Sequence, residues 1–412
     1  MKNVPELRFD GYEREWEEKI LGNCIKLLKS GLSRKLSDFD IGVPVVRANN
    51  TFDNKLDMDN DVKYWYEDDP QGANTDNYAI QKNDILINFI NSKSKMGTAA
   101  IVKKIPNRKT IYTTNIMRLV VSDDLNPYYF LMITLTTSYR KYIEAISMPA
   151  VNQYSFTTLD YKKLKFNSPC IDEQEKIGEL FKKIDALIEK QEGKVSKLED
   201  FKKSMLQKMF PKKGELVPEF RFDGFDGEWY IKKAYDILVK NNKKNKDLYI
   251  DYVESVSNKF GFIKQTDQFE GYQLASADLS NYYVIEPYCF AYNPSRINVG
   301  SIAYKDKNGT TSVVSPLYVS FTTNSEINDY FIWYLFKTYQ FEQQRQSYAE
   351  GGVRDTLSFA SLSEFKFVIP TKKEQQKIGQ FFKNLDTQIE TEEKLLESYK
   401  QMKKSLLQKM FV

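Results

Sequence analysis

The chain has 412 residues, too many for one ordinary domain, and 41% hydrophobic residues, enough for two or more packed cores. Sixty Lys and Arg against 56 Asp and Glu leave a formal charge of +4, which excludes a global basic field, so any anion-binding surface must be local. Histidine is absent, which removes the commonest general base, proton shuttle and metal ligand.

Cys24, Cys170 and Cys289 are odd in number and far apart, which argues against a disulfide framework or a thiolate metal site and fits a reducing compartment. The N-terminal stretch is charged, and there is no apolar run of about 18 residues. Neither a signal peptide nor a membrane span is expected, and the chain reads as cytoplasmic.

The chain is written twice. Val4 to Trp16 reads VPELRFDGYEREW and Val217 to Trp229 reads VPEFRFDGFDGEW, an offset of 213 (217 − 4). Ile171 to Phe210 aligns without a gap to Lys372 to Phe411 at an offset of 201 (372 − 171), with 19 of the 40 positions identical. Between these anchors lie two stretches of different sequence. The layout is therefore a first globular domain at 1–170, a central helix at 171–212, a second globular domain at 213–370 and a C-terminal helix at 371–412.

In the first domain Asp84 to Phe89, Ala99 to Val102 and Arg118 to Val121 are short apolar runs of β type, and Tyr128 to Tyr142 is helix-like. The second repeats that order with Tyr288 to Tyr292, Gly300 to Tyr304 and Leu317 to Phe321, then a helical stretch from Asp329 to Phe341. Both domains read as mixed helix and sheet, two divergent copies of one fold.

The long repeats read as helices because apolar residues recur at heptad spacing. Ile177, Ile184, Leu198 and Met205 form one register, with Phe181, Ile188, Val195 and Met209 four residues on. Ile378, Leu385, Tyr399 and Leu406, then Phe382, Ile389, Leu396 and Met410, repeat the pattern. Thr371 with Glu374 has the form of a capping box, and Pro211 with Gly214 stops the first helix. A rod of about 39 residues spans roughly 60 Å and cannot bury its seam alone. The other copy in the same chain is the expected partner, antiparallel, with polar Gln191 and Glu392 interrupting the seams; packing on its own domain or on another subunit is the alternative. The expected fold class is α+β, two similar globular domains separated by an antiparallel pair of long helices in a pseudo-two-fold arrangement.

Catalytic signatures are missing. Asn126-Pro127-Tyr128-Tyr129 lacks the second proline of an adenine methyltransferase motif, and no Gly-rich methyl-donor loop accompanies it. Glu364-Phe365-Lys366 has a nuclease-like ending, but no paired carboxylate stands upstream at suitable spacing. Phosphate loops of the Walker type are absent.

What remains is a pair of donor-rich loops. Asn91, Ser92, Lys93, Ser94 and Lys95, ending at Gly97, follow the strand at 84–89. Asn293, Ser295, Arg296 and Asn298, ending at Gly300, follow the strand at 288–292. Amides, hydroxyls and one or two cations on a short loop suit a nucleic-acid groove, where Arg and Asn contact purine edges through two hydrogen bonds. A solvated hairpin is the alternative for either loop taken alone. Lys103, Lys104, Arg108 and Lys109 in one half, and Lys240, Lys243, Lys244 and Lys246 in the other, are candidate backbone contacts.

With EQEKIG at Glu173 to Gly178, EQQKIG at Glu374 to Gly379, LQKMF at Leu206 to Phe210 and Leu407 to Phe411, and YNPSRINVG at Tyr292 to Gly300, the chain resembles the specificity subunits of Type I restriction-modification systems over essentially its whole length. The first domain departs from the last motif, carrying NFINSKSKMG at Asn88 to Gly97. The resemblance implies a non-catalytic subunit that reads a split, asymmetric target in double-stranded DNA with two target-recognition domains, and a gap set by the helix pair. It also implies two modification subunits, which bring S-adenosylmethionine, and restriction subunits that join the assembly. No cofactor is expected in this chain, and the alternative function is a coiled-coil interaction scaffold without a DNA role.

Overall fold

The structure of the protein, a computed structural model, describes residues 4–52, 54–150, 153–258, 261–268, 278–349 and 356–411. It folds as two compact units. Residues 1–192 and 394–412 form the first, and 193–393 form the second, so each long helix is divided near its middle.

In the first unit, strands β1 (Ile25–Ser30), β2 (Ile85–Asn88), β3 (Ala99–Ile101) and β4 (Ile116–Val121) form an antiparallel sheet of order β1-β4-β2-β3. Ile85 lies opposite Ile101, and Ile116 opposite Asn88. The buried strands β2 and β3 are continuous apolar runs because both faces are covered. Helices α1 (Pro127–Ile133) and α2 (Thr137–Ile146) follow, then the long α3 (Ile171–Lys208).

The second unit repeats the plan. Strands β5 (Leu238–Lys240), β6 (Phe290–Tyr292), β7 (Ile302–Tyr304) and β8 (Val319–Thr323) form a sheet of order β5-β8-β6-β7. Helices α4 (Asp329–Leu335) and α5 (Tyr339–Ala349) follow, then the long α6 (Lys372–Met410).

The single helix expected at Tyr128 to Tyr142 is broken, as is the one at Asp329 to Phe341. In the first unit Thr134 Oγ1 donates to the Leu131 carbonyl, and Thr136 Oγ1 accepts from the Tyr139 amide and caps α2. In the second, Thr338 Oγ1 donates to the Leu335 carbonyl and accepts from the Phe341 amide. Threonine hydroxyls here compete with the helical ladder and restart it.

The long helices run antiparallel within each unit. In the first, Lys403 pairs with Asp185 at 2.7 Å and Lys400 with Glu192 at 2.9 Å; in the second, Lys202 pairs with Asp386 and Lys194 with Glu392 at 2.5 Å. Ile177, Phe181, Ile184 and Ile188 of α3 are buried in the first core, with Leu396, Tyr399 and Leu406 of α6 packed against it. Ile378, Phe382 and Leu385 of α6 are buried in the second core, with Leu198 and Met205 of α3 alongside. Intramolecular pairing and packing on the globular domain therefore both occur. Among the described residues no helix is long and apolar enough to cross a membrane.

Candidate nucleic-acid interface

The two donor-rich loops occupy the same place in the two units, between β2 and β3 and between β6 and β7, the pair of adjacent strands at one side of each sheet. In the first unit Asn88 closes the neck. It is fully buried, and its Nδ2 donates to Thr51 Oγ1 and Thr98 Oγ1, both at 2.8 Å, while its carbonyl accepts from the Gly97 amide. Gly97 has φ 76° and lies so close to Ile143 of α2 that a β-carbon would come within 2.7 Å of that side chain, so only glycine satisfies both demands. Arg140 and Tyr139 of α2 donate to the carbonyls of Met96 and Gly97 at 3.1 and 2.9 Å.

On that neck Asn91 pairs with Tyr154 in a short strand, its Nδ2 buried and without a partner, while Ser92, Lys93, Ser94 and Lys95 are exposed. Lys95 lines a cleft of about 390 Å³ together with Lys55, Arg140, Asp185, Glu192 and Lys400. The first loop is therefore a basic tip above a mixed-charge recess.

In the second unit buried Ile297 anchors the loop, the Asn293 amide donates to the Ser301 carbonyl, and Asn293 Oδ1 accepts from the Ser295 amide at 3.0 Å. Ser295, Arg296, Asn298 and Gly300 are exposed. Arg296 has no ion-pair partner among the described residues, which leaves its guanidinium available to an anion or a base edge. The Arg296–Gly300 turn closes with Gly300 in the left-handed region at φ 79°.

The other candidate cations are mostly engaged. Lys243 pairs with Glu286 at 2.6 Å, and the Lys244 ammonium stands over the Tyr283 ring. Lys103 pairs with Glu189, Arg108 with Asp40 at 2.6 Å, and Lys109 with Asp76 at 2.6 Å. Arg108 in turn holds the Asp40 carboxyl below the usual range. Engaged cations weaken the local positive potential, whereas Lys104, Lys240 and Lys246 are exposed with no ion pair among the described residues, so free cations stand both on the loops and in these clusters.

The shared motifs build the platform behind the loops. Arg8 holds Glu173 through two hydrogen bonds of 2.7 and 2.8 Å, and Arg221 holds Glu374 with the same two distances. The next residue is equally reciprocal: Gln174 Oε1 accepts from the Asn126 amide and its Nε2 donates to the Pro169 carbonyl, as Gln375 does with Asn328 and Pro370. Tyr128 donates to Asp185 at 2.5 Å and Tyr334 to Asp386 at 2.7 Å, and burial beside a carboxylate raises both phenols far above their usual range. The Arg–Glu and Gln–Asn contacts join residues far apart in sequence, and their recurrence at matching positions was the only sequence signal for them; the two tyrosines do not correspond, since Tyr128 aligns with Tyr330 and Tyr334 with Met132.

The Type I restriction modification DNA specificity domain matches at residues 13–200 and again at 226–401, which is most of the chain. The protein belongs to that family. A relative from Methanocaldococcus jannaschii, carrying the name of an MjaX type I restriction enzyme specificity subunit, is 23% identical over 411 residues, covering 95% of this chain and 92% of its own. Among solved structures, the S subunit of a Type I restriction-modification system from M. genitalium superposes with a TM-score of 0.64 at 15% identity, over 99% of both chains. A chain from a study of complex assembly and conformational transition of the type I R-M system gives a TM-score of 0.50 at 12% identity, over 96% of this chain and 97% of its own. These likenesses show the Type I specificity-subunit fold, two domains with long helices, and they disfavour a scaffold without a DNA role.

Proposed function

We propose that this chain reads a bipartite, asymmetric target in double-stranded DNA, one half-site per unit, through the loops at Asn91 to Lys95 and Asn293 to Asn298. The observation that carries this reading is the equivalence of the loops: both join the same two adjacent strands, both hang exposed hydroxyls and cations on a buried neck, and they differ in the side chains that would touch bases. Different donors in equivalent positions are what two half-sites of different sequence require. Two modification subunits, one per unit, would bind S-adenosylmethionine and carry out methyl transfer on an extruded adenine, and restriction subunits would join them. The chain itself catalyses neither methyl transfer nor cleavage, and it works in the reducing cytoplasm.

The test is to express the chain with its modification subunit in a host lacking other adenine methylation and to map the modified adenines genome-wide. One two-part motif is expected, lost in one half when the 293–298 loop is replaced and in the other half when the 91–95 loop is replaced. A palindromic motif, or loop exchanges that leave both halves unchanged, would remove the assignment.

A further inference from the structure

The turn that leads into β4, and its counterpart before β8, stand beside the donor-rich loops. The first runs from Thr113 to Ile116 and the second from Ser315 to Tyr318, and in both the last amide donates to the first carbonyl at 3.0 Å. The turns are equivalent in register. Ile116 lies opposite Asn88; Val319 lies opposite Tyr292, and one step further Tyr318 comes beside Asn293. Asn88 and Asn293 open their loops alike, each amide donating to the carbonyl of the residue after the terminal glycine, Thr98 and Ser301. The offset between the turns, 202 (318 − 116), is also that between Asn126 and Asn328 (328 − 126). Asn115 therefore stands next to Phe89, whose amide donates to its carbonyl at 3.3 Å, and Leu317 stands next to Pro294.

What the two turns present differs. Leu317 is 81% exposed, the most exposed aliphatic side chain among the described residues. The corner that carries it is fixed. Pro316 stiffens the backbone, and Ser315 Oγ accepts from the Leu317 amide at 3.3 Å. Tyr318 packs on the core around Ile285 and Val314, and its hydroxyl accepts from the Val256 amide at 3.5 Å. Asn115 occupies the same corner in the first unit, half-buried, with no hydrogen-bond partner for its side chain among the described residues.

Charge and side-chain type decide what the corners meet. From Thr110 to Met117 and from Asn308 to Ser325 no side chain is charged, and the adjoining loops, Asn88 to Thr98 and Asn293 to Ser301, carry cations but no carboxylate. Such a surface does not repel a phosphate backbone. Asparagine matches the hydrogen-bonding edge of adenine in the major groove, and an apolar side chain matches the methyl group of thymine. We propose that Asn115 and Leu317 are specificity-determining residues, Asn115 bonding an adenine edge in one half-site and Leu317 packing on the C5-methyl group of a thymine in the other. This rests on the reading that the neighbouring loops enter DNA, and it gives each loop a second base contact from the adjacent strand. A polar and an apolar side chain at equivalent corners is what two different half-sites require.

The test uses the complex of the full chain with its modification subunit and duplexes carrying the mapped two-part motif. A wild-type complex that binds this duplex no better than a scrambled one would overturn the DNA-reading function itself. Given specific binding, each thymine in the half-site lost on replacing the 293–298 loop is exchanged in turn for deoxyuridine, which removes only the methyl group. One exchange should weaken wild-type binding about fourfold, the worth of one buried methyl-sized group, and should leave Leu317→Ala unaffected. Leu317→Ala should bind the unmodified half-site at least about fourfold more weakly, with the other half-site and the thermal unfolding of the free chain unchanged. Asn115→Ala should relax one position of that other half-site about tenfold. A half-site without thymine on either strand, or methyl removal that affects wild type and Leu317→Ala alike, overturns the proposal, as does unaltered specificity in Asn115→Ala.

Discussion

Arg8 and Glu173 lie 165 residues apart and form a two-point ion pair, with Glu173 fully buried and Arg8 nearly so. Arg221 and Glu374 do the same in the second unit. The pair fastens the segment that opens each domain to the first turn of the helix that leaves it. Removing one partner strands a buried charge, so Arg8→Ala should destabilise the first unit by about 3–5 kcal/mol in urea denaturation. Arg8→Lys should recover little, because an ammonium cannot match both carboxylate oxygens. Equal stability of wild type and Arg8→Ala would show the pair to be incidental.

Two glycines in one helix should respond oppositely to the same substitution. A β-carbon on Gly178 would lie 2.8 Å from Asn126 Oδ1, the oxygen that caps α1, whereas one on Gly193 meets nothing within 4 Å. Gly193→Ala should stabilise by roughly 0.5–1 kcal/mol through helix propensity, and Gly178→Ala should destabilise in spite of it. Thermal unfolding of the two variants measures the contrast, and a common sign would refute the close-packing argument.

The phenylalanine that closes each long helix packs on a domain. Phe210 meets Trp229, Phe331 and Phe382 in the second unit, and Phe411 meets Trp16, Tyr129 and Phe181 in the first. Phe210→Ala should destabilise the second unit by about 3–5 kcal/mol and Phe411→Ala the first by somewhat less, Phe411 being only partly buried. Hydrogen exchange resolved by peptide should show each loss in its own unit, and uniform loss across both would contradict it.

Lys337 gives a pH signature. It lines a cleft of about 860 Å³ in the second unit; its ammonium lies 4.0 Å from the Trp333 ring centre, and the residue as a whole is exposed. Desolvation, with repulsion from Lys202 added and Asp386 opposing, pushes it down to about 8. Between pH 8 and its ordinary value of 10.5 the unfolded chain keeps a proton that the folded chain has released. Stability therefore rises with pH across that window, and the penalty is complete below it. Lys337→Leu, the side chain that Leu135 supplies in the first repeat, should flatten this rise in denaturation midpoints between pH 7 and 10. Parallel curves for variant and wild type would refute it.

Arg296 separates base reading from phosphate contact. If it reads a guanine edge, Arg296→Ala should relax one position of one half-site by roughly 1–3 kcal/mol and leave the other half-site intact. If it holds phosphate, all sites should weaken together and the salt slope should fall by about one. Mapped methylation together with a salt titration of binding distinguishes these outcomes, and no change in either would make Arg296 structural.

The sequence alone determined the elements whose energetics are local and repeated. Heptad spacing placed α3 and α6 to within a few residues, and the offsets of 213 and 201 announced two copies of one domain before any contact was known. It also located both candidate loops, because their strands and terminal glycines are adjacent in the chain. The tertiary structure alone decided what the motif residues do. Glu173, Gln174 and Gly178 serve docking through contacts to Arg8 and Asn126, side chains no local pattern connects to them. It also broke both expected helices at Thr134 to Thr136 and at Thr338, where hydroxyl bonding outweighs an otherwise continuous apolar pattern. Finally it set the charge available at the interface, since Lys243 and Arg108 are exposed cations in the sequence but ion-pair partners in the fold. Periodicity encodes which face of an element is buried; which side chain meets it depends on chain segments far away.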